Sequence, residues 1–251
     1  MRLRCRLRAV FVATFALVAM QGTGGEPAAA AEREVIGHSV QGRAIVGIRT
    51  GSPKPAVKVL VIGAVHGDER AGMRIAQLLI ALGAPRGAEL IVVPTLNPDG
   101  VAADTRGNAH GVDLNRNFPF DWRPLGGGEY SGPRPLSEPE SRAAQRLILR
   151  EKPEVTIWFH QPFGLIDRPE GNPFAAHRFA QLIGLPLRKL PGHYPGSASR
   201  WQNHRLPQTT AFVAELPKQV SAPLITRGVT AIYKLTSEVA SPGVEAAEPS
   251  S

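Results

Sequence analysis

The 251-residue sequence predicts an α/β fold, a mixed and mainly parallel β-sheet sandwiched by helices. Three observations lead there. Short apolar runs alternate with stretches of helical periodicity, those runs are hydrophobic at consecutive positions, and polar residues cluster just past their ends. Strands that alternate with helices form a parallel sheet between helical layers. Strands buried on both faces read as unbroken apolar runs.

Ala44–Arg49 reads as a short strand after a Gly42-Arg43 turn. Val57–Ile62 (VKVLVI), bounded by Pro55 and Gly63, reads as a strand buried on both faces. Arg70–Leu82 carries Met73, Ala76, Leu79 and Ile80 at helical spacing and stops at Gly83. Leu90–Val93 is a further buried strand ended by Pro94, and a long loop follows from Asn97 to Leu136. Loops of that length in compact domains usually bind or catalyse. Ser137-Glu-Pro-Glu140 has the form of a capping box with Pro in the first turn, opening a helix through Ala143, Leu147 and Ile148. Val155–Phe159 is a strand that delivers His160. Phe174–Ile183 is a helix closed by Gly184. Ala211–Leu216 is a strand that contains Glu215, and Pro223–Leu235 is a C-terminal helix. No composition break or internal repeat divides residues 32–240, so they read as one domain, and residues 241–251 are a small polar tail expected to be disordered.

Residues 1–31 have the form of an export signal: Arg2, Arg4, Arg6 and Arg8, an apolar run from Ala9 to Met20, then a small-residue stretch ending at Ala31. Cleavage is expected near Ala30-Ala31; the alternative is an uncleaved membrane anchor, although the run is short for one. The formal charge of +8 first suggests an anionic partner, but residues 1–31 hold four Arg and one Glu, leaving +5 for the remainder. Cys5, the single cysteine, lies in the same segment. The mature chain therefore has no disulfide framework and no cysteine-built zinc site. A cysteine-free exported chain suits a secreted, periplasmic or cell-envelope enzyme, here a monomer with no stable membrane insertion once the signal is removed. No nucleic-acid motif, nucleophile elbow or phosphate loop is present.

The chemistry gathers past the strand ends, where open α/β sheets place their sites. His66-Gly-Asp-Glu69 follows the strand at 57–62, and His160 follows the strand at 155–159. Two His and one Glu make a zinc site with an open fourth position, the catalytic form. H-x-x-E alone is a weak signal, but it precedes Asn97-Pro-Asp-Gly100, the run Arg106-Gly-Asn through Gly-Val-Asp113-Leu-Asn115-Arg116-Asn-Phe-Pro119, Ser137-Glu-Pro-Glu140, His160 and Glu215. In this ordered set, from about Val35 to Ser237, the sequence resembles the zinc metallocarboxypeptidases, the carboxypeptidase A relatives.

The resemblance implies a role for each matching residue. His66, Glu69 and His160 would hold one Zn2+, and Asp113 would fix the tautomer of His66. Glu215 would be the general base; a carboxylate inside an apolar strand is also costly unless it is paired or functional. Arg106 would stabilise the developing oxyanion, and Asn115 and Arg116 would bind the substrate's terminal carboxylate. Two departures stand out. Asp68 occupies a position where the family often carries Arg, which alters a subsite. Tyr194, the match to the family's mobile tyrosine and a candidate substrate contact, lies closer to Trp201 than in the pancreatic enzymes.

Residues Pro186–Pro207 contain no Asp or Glu, so an acidic pocket for Lys or Arg side chains is not evident, and Arg200 could meet a substrate carboxylate. The short chain, the export signal and the Tyr-Pro-Gly-Ser…Trp…Glu-Leu-Pro pattern look like bacterial murein peptide amidases, which cleave the γ-D-glutamyl–diaminopimelate bond of cell-wall peptides. The partner would then be a peptide or cell-wall peptide substrate. Three alternatives stand beside this reading: a metallocarboxypeptidase acting on ordinary peptides, an N-acyl amino acid deacylase similar to succinylglutamate desuccinylase and aspartoacylase, and a non-enzymatic wall-binding protein.

Overall fold

The computed structural model describes residues 29–241. Residues 1–28, which hold most of the expected export signal, and residues 242–251, nearly all of the expected tail, lie outside the described residues. The elements in chain order are β1 (Ala29–His38), β2 (Ala44–Gly51), β3 (Val57–Ile62), α1 (Ala71–Leu82), β4 (Ala88–Val93), α2 (Pro98–Ala103), α3 (Pro139–Glu151), β5 (Val155–His160), β6 (Phe163–Asp167), α4 (Phe174–Ile183), β7 (Leu187–Arg188), α5 (Ala198–Arg205), β8 (Thr210–Pro217) and α6 (Ala222–Ala240). The described strands make one sheet of eight in the order β1-β2-β4-β3-β5-β8-β6-β7. Its centre, β4-β3-β5-β8, is parallel; β1 and β2 on one side and β6 against β8 on the other are antiparallel.

The side-chain period of two sorts the central strands into two cores. Val59, Val61, Ile157, Phe159 and Ala214 face one side and pack against α1, α4 and α6 around Ile75, Phe179 and Ile232. Leu60, Ile62, Trp158 and Val213 face the other side and pack against α3 and α5 through Ala143, Leu147, Ala198 and Trp201. Both faces are thus covered, which explains why β3 and β5 are apolar throughout. His160 continues the parity of Trp158, and Glu215 that of Val213. Their register, His160 opposite Glu215, brings both to the carboxyl end of the sheet on the α3/α5 side.

Several expectations shift. β1 begins at Ala29, inside the segment assigned to the export signal, but its regular pairing with β2 starts at Glu32 opposite Arg49, after a register irregularity. The Ser137–Glu140 capping box does not form. The residue capping α3 is Glu138, and no side chain caps the helix. Glu140 instead accepts hydrogen bonds from the Val40 N–H and from Asn108 Nδ2, while Ser137 donates to Glu138. These contacts tether the long loop to α3 rather than closing the helix end. The C-terminal helix continues to Ala240, beyond Leu235.

Candidate active site

The strand-end segments converge on one cleft of about 250 Å³, lined by His66, Glu69, Arg106, Asn115, Arg116, Glu129, His160, Asp167, Tyr194, Arg200 and Glu215. His66 lies in the turn between β3 and α1, and Glu69 lies just before that helix. Gly67 permits the turn: a Cβ there would overlap the Gly100 carbonyl, so the H-G-D-E and N-P-D-G segments can meet only backbone to backbone. The Gly67 N–H donates to the Thr105 carbonyl at 2.9 Å, extending the contact to the loop that carries Arg106.

His66 Nδ1 lies 2.8 Å from Glu69 Oε1 and 3.2 Å from His160 Nδ1, and His160 Nδ1 lies 3.0 Å from Glu69 Oε2. All three residues are buried. The other nitrogen of His66, Nε2, is 3.0 Å from Asp113 Oδ1, which also accepts the Asn115 N–H at 2.8 Å. An ionised carboxylate only accepts, so Nε2 carries a ring proton, which leaves Nδ1, facing Glu69 and His160, as the nitrogen able to bind an ion. Two ring nitrogens and a carboxylate gathered at these distances call for positive charge between them. Burial alone would lower the pKa of His66, but Asp113 and Glu69 outweigh it and lift the ring to about 9. Burial likewise opposes ionisation of Glu69, yet His160 and His66 hold its carboxyl well below the ordinary range. A tetrahedral ion with bonds of about 2.0–2.1 Å has donor–donor edges of about 3.3 Å, close to these spacings. The donor set therefore fits zinc, with Asp113 orienting His66.

Arg106 makes two hydrogen bonds to Asp113 Oδ2, from Nε at 3.0 Å and Nη2 at 2.8 Å, and approaches Glu69 at 3.3 Å. Asp113 is fully buried; burial penalises its charge, but His66 and Arg106 keep it ionised far below its usual pKa. Asn115 accepts the Ala198 N–H at 3.0 Å, and its Nδ2 lies 3.3 Å from His160 Nε2, so it helps to seat that ring as well as lining the cleft. Arg116 is buried, donates to the Asn115 carbonyl and to Glu129, and stacks on the Tyr194 ring at 4.9 Å. Its Nε has no partner among the described residues. Gly196, with φ at +68°, passes where a Cβ would overlap the Arg116 carbonyl.

Glu215 is 6% exposed, and its Oε2 accepts no hydrogen bond among the described residues. Burial pushes its pKa above the ordinary carboxylate value, with Glu69 adding to the rise and His160 opposing it. Tyr194 donates to the Pro191 carbonyl at 2.8 Å, and Arg200 pairs with Asp121 at 3.2 Å. Every site residue expected from the sequence thus reaches the cleft except Asp113, which stands behind it bonded to His66.

Residues 19–169 match the family described as zinc carboxypeptidase, more than half of the chain. The chain belongs to the zinc carboxypeptidase family. The matched residues include His66, Glu69, Arg106, Asp113, Asn115, Arg116 and His160; Tyr194, Arg200 and Glu215 lie beyond them. Murein peptide amidase A of Escherichia coli (strain K12) is 32% identical over 157 residues, 57% of this chain and 64% of that relative, so the alignment spans just under two thirds of the relative's length. The protein of the same name from Vibrio campbellii is 33% identical over 176 residues, 63% of this chain and 68% of its own. Among solved structures, the murein-tripeptide amidase of Escherichia coli O157 superposes with a TM-score of 0.68 at 28% identity, covering 81% of this chain and 91% of that one. Carboxypeptidase A of Helicoverpa armigera, at 18% identity and a TM-score of 0.70 over 85% of this chain and 69% of that one, shares the fold.

Two acidic residues of the cleft escaped the sequence reading. Asp167 and Glu129 both line it, although the segment Pro186–Pro207 has no acid. Asp167 ends β6, and period-two alternation could have exposed it only once β6 was recognised as a strand.

Proposed function

We propose that this protein is an exported zinc-dependent hydrolase that cleaves a C-terminal amide bond in cell-wall peptides of the γ-D-glutamyl–diaminopimelate type. The observation that carries the hydrolase reading is the register of His160 opposite Glu215, which sets a desolvated carboxylate beside the three-donor metal constellation. The resemblance to murein peptide amidases carries the substrate class. Export rests on the N-terminal signal pattern.

Zinc held by His66, Glu69 and His160 would supply Lewis acidity, polarising the scissile carbonyl and acidifying water. Glu215 takes the proton from the attacking water and returns it to the leaving amine, and its raised pKa moves it toward the range in which a base can do both. Arg106, anchored by Asp113 with part of its surface open to the cleft, donates to the oxygen on which negative charge develops. Arg116 and Asn115 receive the terminal carboxylate, which replaces Glu129 on the guanidinium.

The test is incubation of the chain lacking residues 1–31 with a γ-D-glutamyl–diaminopimelate peptide, an ordinary peptide and an N-acyl amino acid, with and without a chelator, read by mass spectrometry. The expected result is chelator-sensitive release of diaminopimelate from the first. Cleavage of the acyl amino acid alone, or of the ordinary peptide alone, overturns the substrate assignment.

A further inference from the structure

The segment that follows Arg123 is a loop closed at its neck. Ser131 is buried there: its Oγ donates to the Arg123 carbonyl at 2.8 Å and accepts the Leu125 N–H at 2.9 Å, and its carbonyl accepts Asn117 Nδ2 at 2.8 Å. The Tyr130 carbonyl accepts the Asp113 N–H at 2.8 Å, which ties the neck to the residue behind His66. The tip, Gly126-Gly127-Gly128-Glu129, is exposed. Gly127 has φ at +62°, and a Cβ on any of the three glycines would meet nothing within 4 Å. Glycine takes either sign of φ at little cost, so the tip can pivot about its fixed neck.

Glu129 carries a carboxylate from this tip into the cleft and accepts a hydrogen bond from Arg116 Nη2. The two partners differ sharply in exposure: the Glu129 side chain is 54% exposed, that of Arg116 only 2%. Among the described residues no other carboxylate lies within 4 Å of the Arg116 guanidinium, whose remaining contacts are the Asn115 carbonyl and the Tyr194 ring. A buried cation without an anion is costly. Here the anion comes from an exposed, glycine-hinged tip rather than from the packed core.

We propose that Glu129 is an internal competitor for Arg116: it occupies the guanidinium in the unliganded protein, and a substrate's terminal carboxylate engages Arg116 only as the glycine-hinged tip withdraws. The inference rests on the reading of Arg116 as the receptor for that carboxylate. Both occupants bring one negative charge and acceptor oxygens suited to a guanidinium, so one replaces the other without leaving the buried cation unpaired. The exchange weakens substrate binding in proportion to the time Glu129 spends on Arg116. An occupancy of about 70–90% leaves about 10–30% of the receptor free and raises the apparent Kd about 3- to 10-fold.

The experiment compares zinc-loaded wild type, Glu129→Gln and Glu129→Ala on the γ-D-glutamyl–diaminopimelate peptide. Both variants are expected to lower KM about 3- to 10-fold with kcat within about twofold, and Glu129→Ala, which leaves no oxygen to accept from Arg116, lowers it at least as far as Glu129→Gln. Acetohydroxamate, a metal ligand too short to reach Arg116, serves as the control, and its inhibition constant should not change. An unchanged or raised KM in both variants overturns the proposal, as does an equal fall in the acetohydroxamate constant, which would mark a general change of the cleft. The same peptide is titrated by calorimetry into Glu215→Gln with and without Glu129→Gln, where the double variant should bind about 3- to 10-fold more tightly. If wild type turns over no peptide, the hydrolase reading fails and this titration still judges the competitor: equal affinities overturn it. A peptide that binds neither protein overturns both.

Discussion

Replacing Glu215 by Gln should lower activity and raise stability together. The side chain is 6% exposed with one oxygen unpartnered among the described residues, and burial pushes its pKa up. A group whose folded pKa lies above its unfolded value of 4.5 favours the protonated fold. At neutral pH its charge therefore works against folding, and the penalty disappears as pH falls below that unfolded value. The neutral amide removes a desolvation cost of about 1 kcal/mol, a gain of roughly 2–4 °C in Tm for a domain of this size. Loss of a positioned base costs about 10²- to 10⁴-fold in kcat, or about 3–5 kcal/mol on the barrier. Zinc content should be unchanged, because Glu215 is not among the three donors. The assay is kcat on the γ-D-glutamyl–diaminopimelate peptide, metal analysis of the loaded protein, and Tm of the metal-free protein at pH 7 and pH 4. A variant within about tenfold of wild-type kcat refutes the base assignment, and an unchanged or lower Tm at pH 7 refutes the electrostatic account of its burial.

Asp113→Asn keeps the shape of the side chain but removes the charge that sets the His66 tautomer, and should weaken zinc binding about 10- to 100-fold in competition with a chromophoric chelator. Gly67→Ala drives a Cβ into the Gly100 carbonyl and should cost more than about 2 kcal/mol in urea unfolding, whereas Gly128→Ala, with open space around it, should stay within about 0.5 kcal/mol. Glu151 sits among Arg49, Lys58 and Arg150; burial opposes its charge, but those cations, Arg49 foremost, hold its pKa down to about 2. Its folded pKa lies below the unfolded value, so the contribution is complete above about pH 4.5 and lost as pH falls toward 2. Glu151→Gln should flatten the fall of the unfolding free energy over that window, by about 1 kcal/mol, as read by urea unfolding at each pH.

The sequence disclosed those elements whose burial is two-sided or whose ends are chemically marked. β3, β5 and β8 are apolar blocks because helices cover both faces, and α1 and α4 end on Gly83 and Gly184, both at positive φ. β1 and β6 gave no such signal. β1 lies at one edge of the sheet and carries Glu32, Arg33 and Glu34 in its middle; β6 is partly exposed and only five residues long. α5 buries little more than one turn, through Ala198, Ser199, Trp201 and Gln202, too few apolar positions to show a period. The capping-box misreading has a related cause. The motif specifies local spacing, whereas Glu140 is satisfied by partners 100 and 32 residues away in sequence.

The same distinction separates the two halves of the site. The metal donors were legible because they stand at or just past the ends of strands whose apolar runs announce them, and Asp113, Asn115 and Arg116 because they fall within a single run. Asp167 follows a strand without that pattern, and its relation to Glu215 exists only through the antiparallel pairing of Leu165 with Glu215, residues 50 positions apart in sequence. The parallel centre of the sheet thus carries His160 and Glu215, while the antiparallel addition beside β8 brings Asp167 to the same cleft. A strand held by one full neighbour and a two-residue edge strand can change its sequence with less disturbance to the core than β5 or β8 can. On that reasoning, Asp167→Asn should leave zinc content unchanged and lower stability less than a polar substitution inside β5 or β8, as read by metal analysis and urea unfolding.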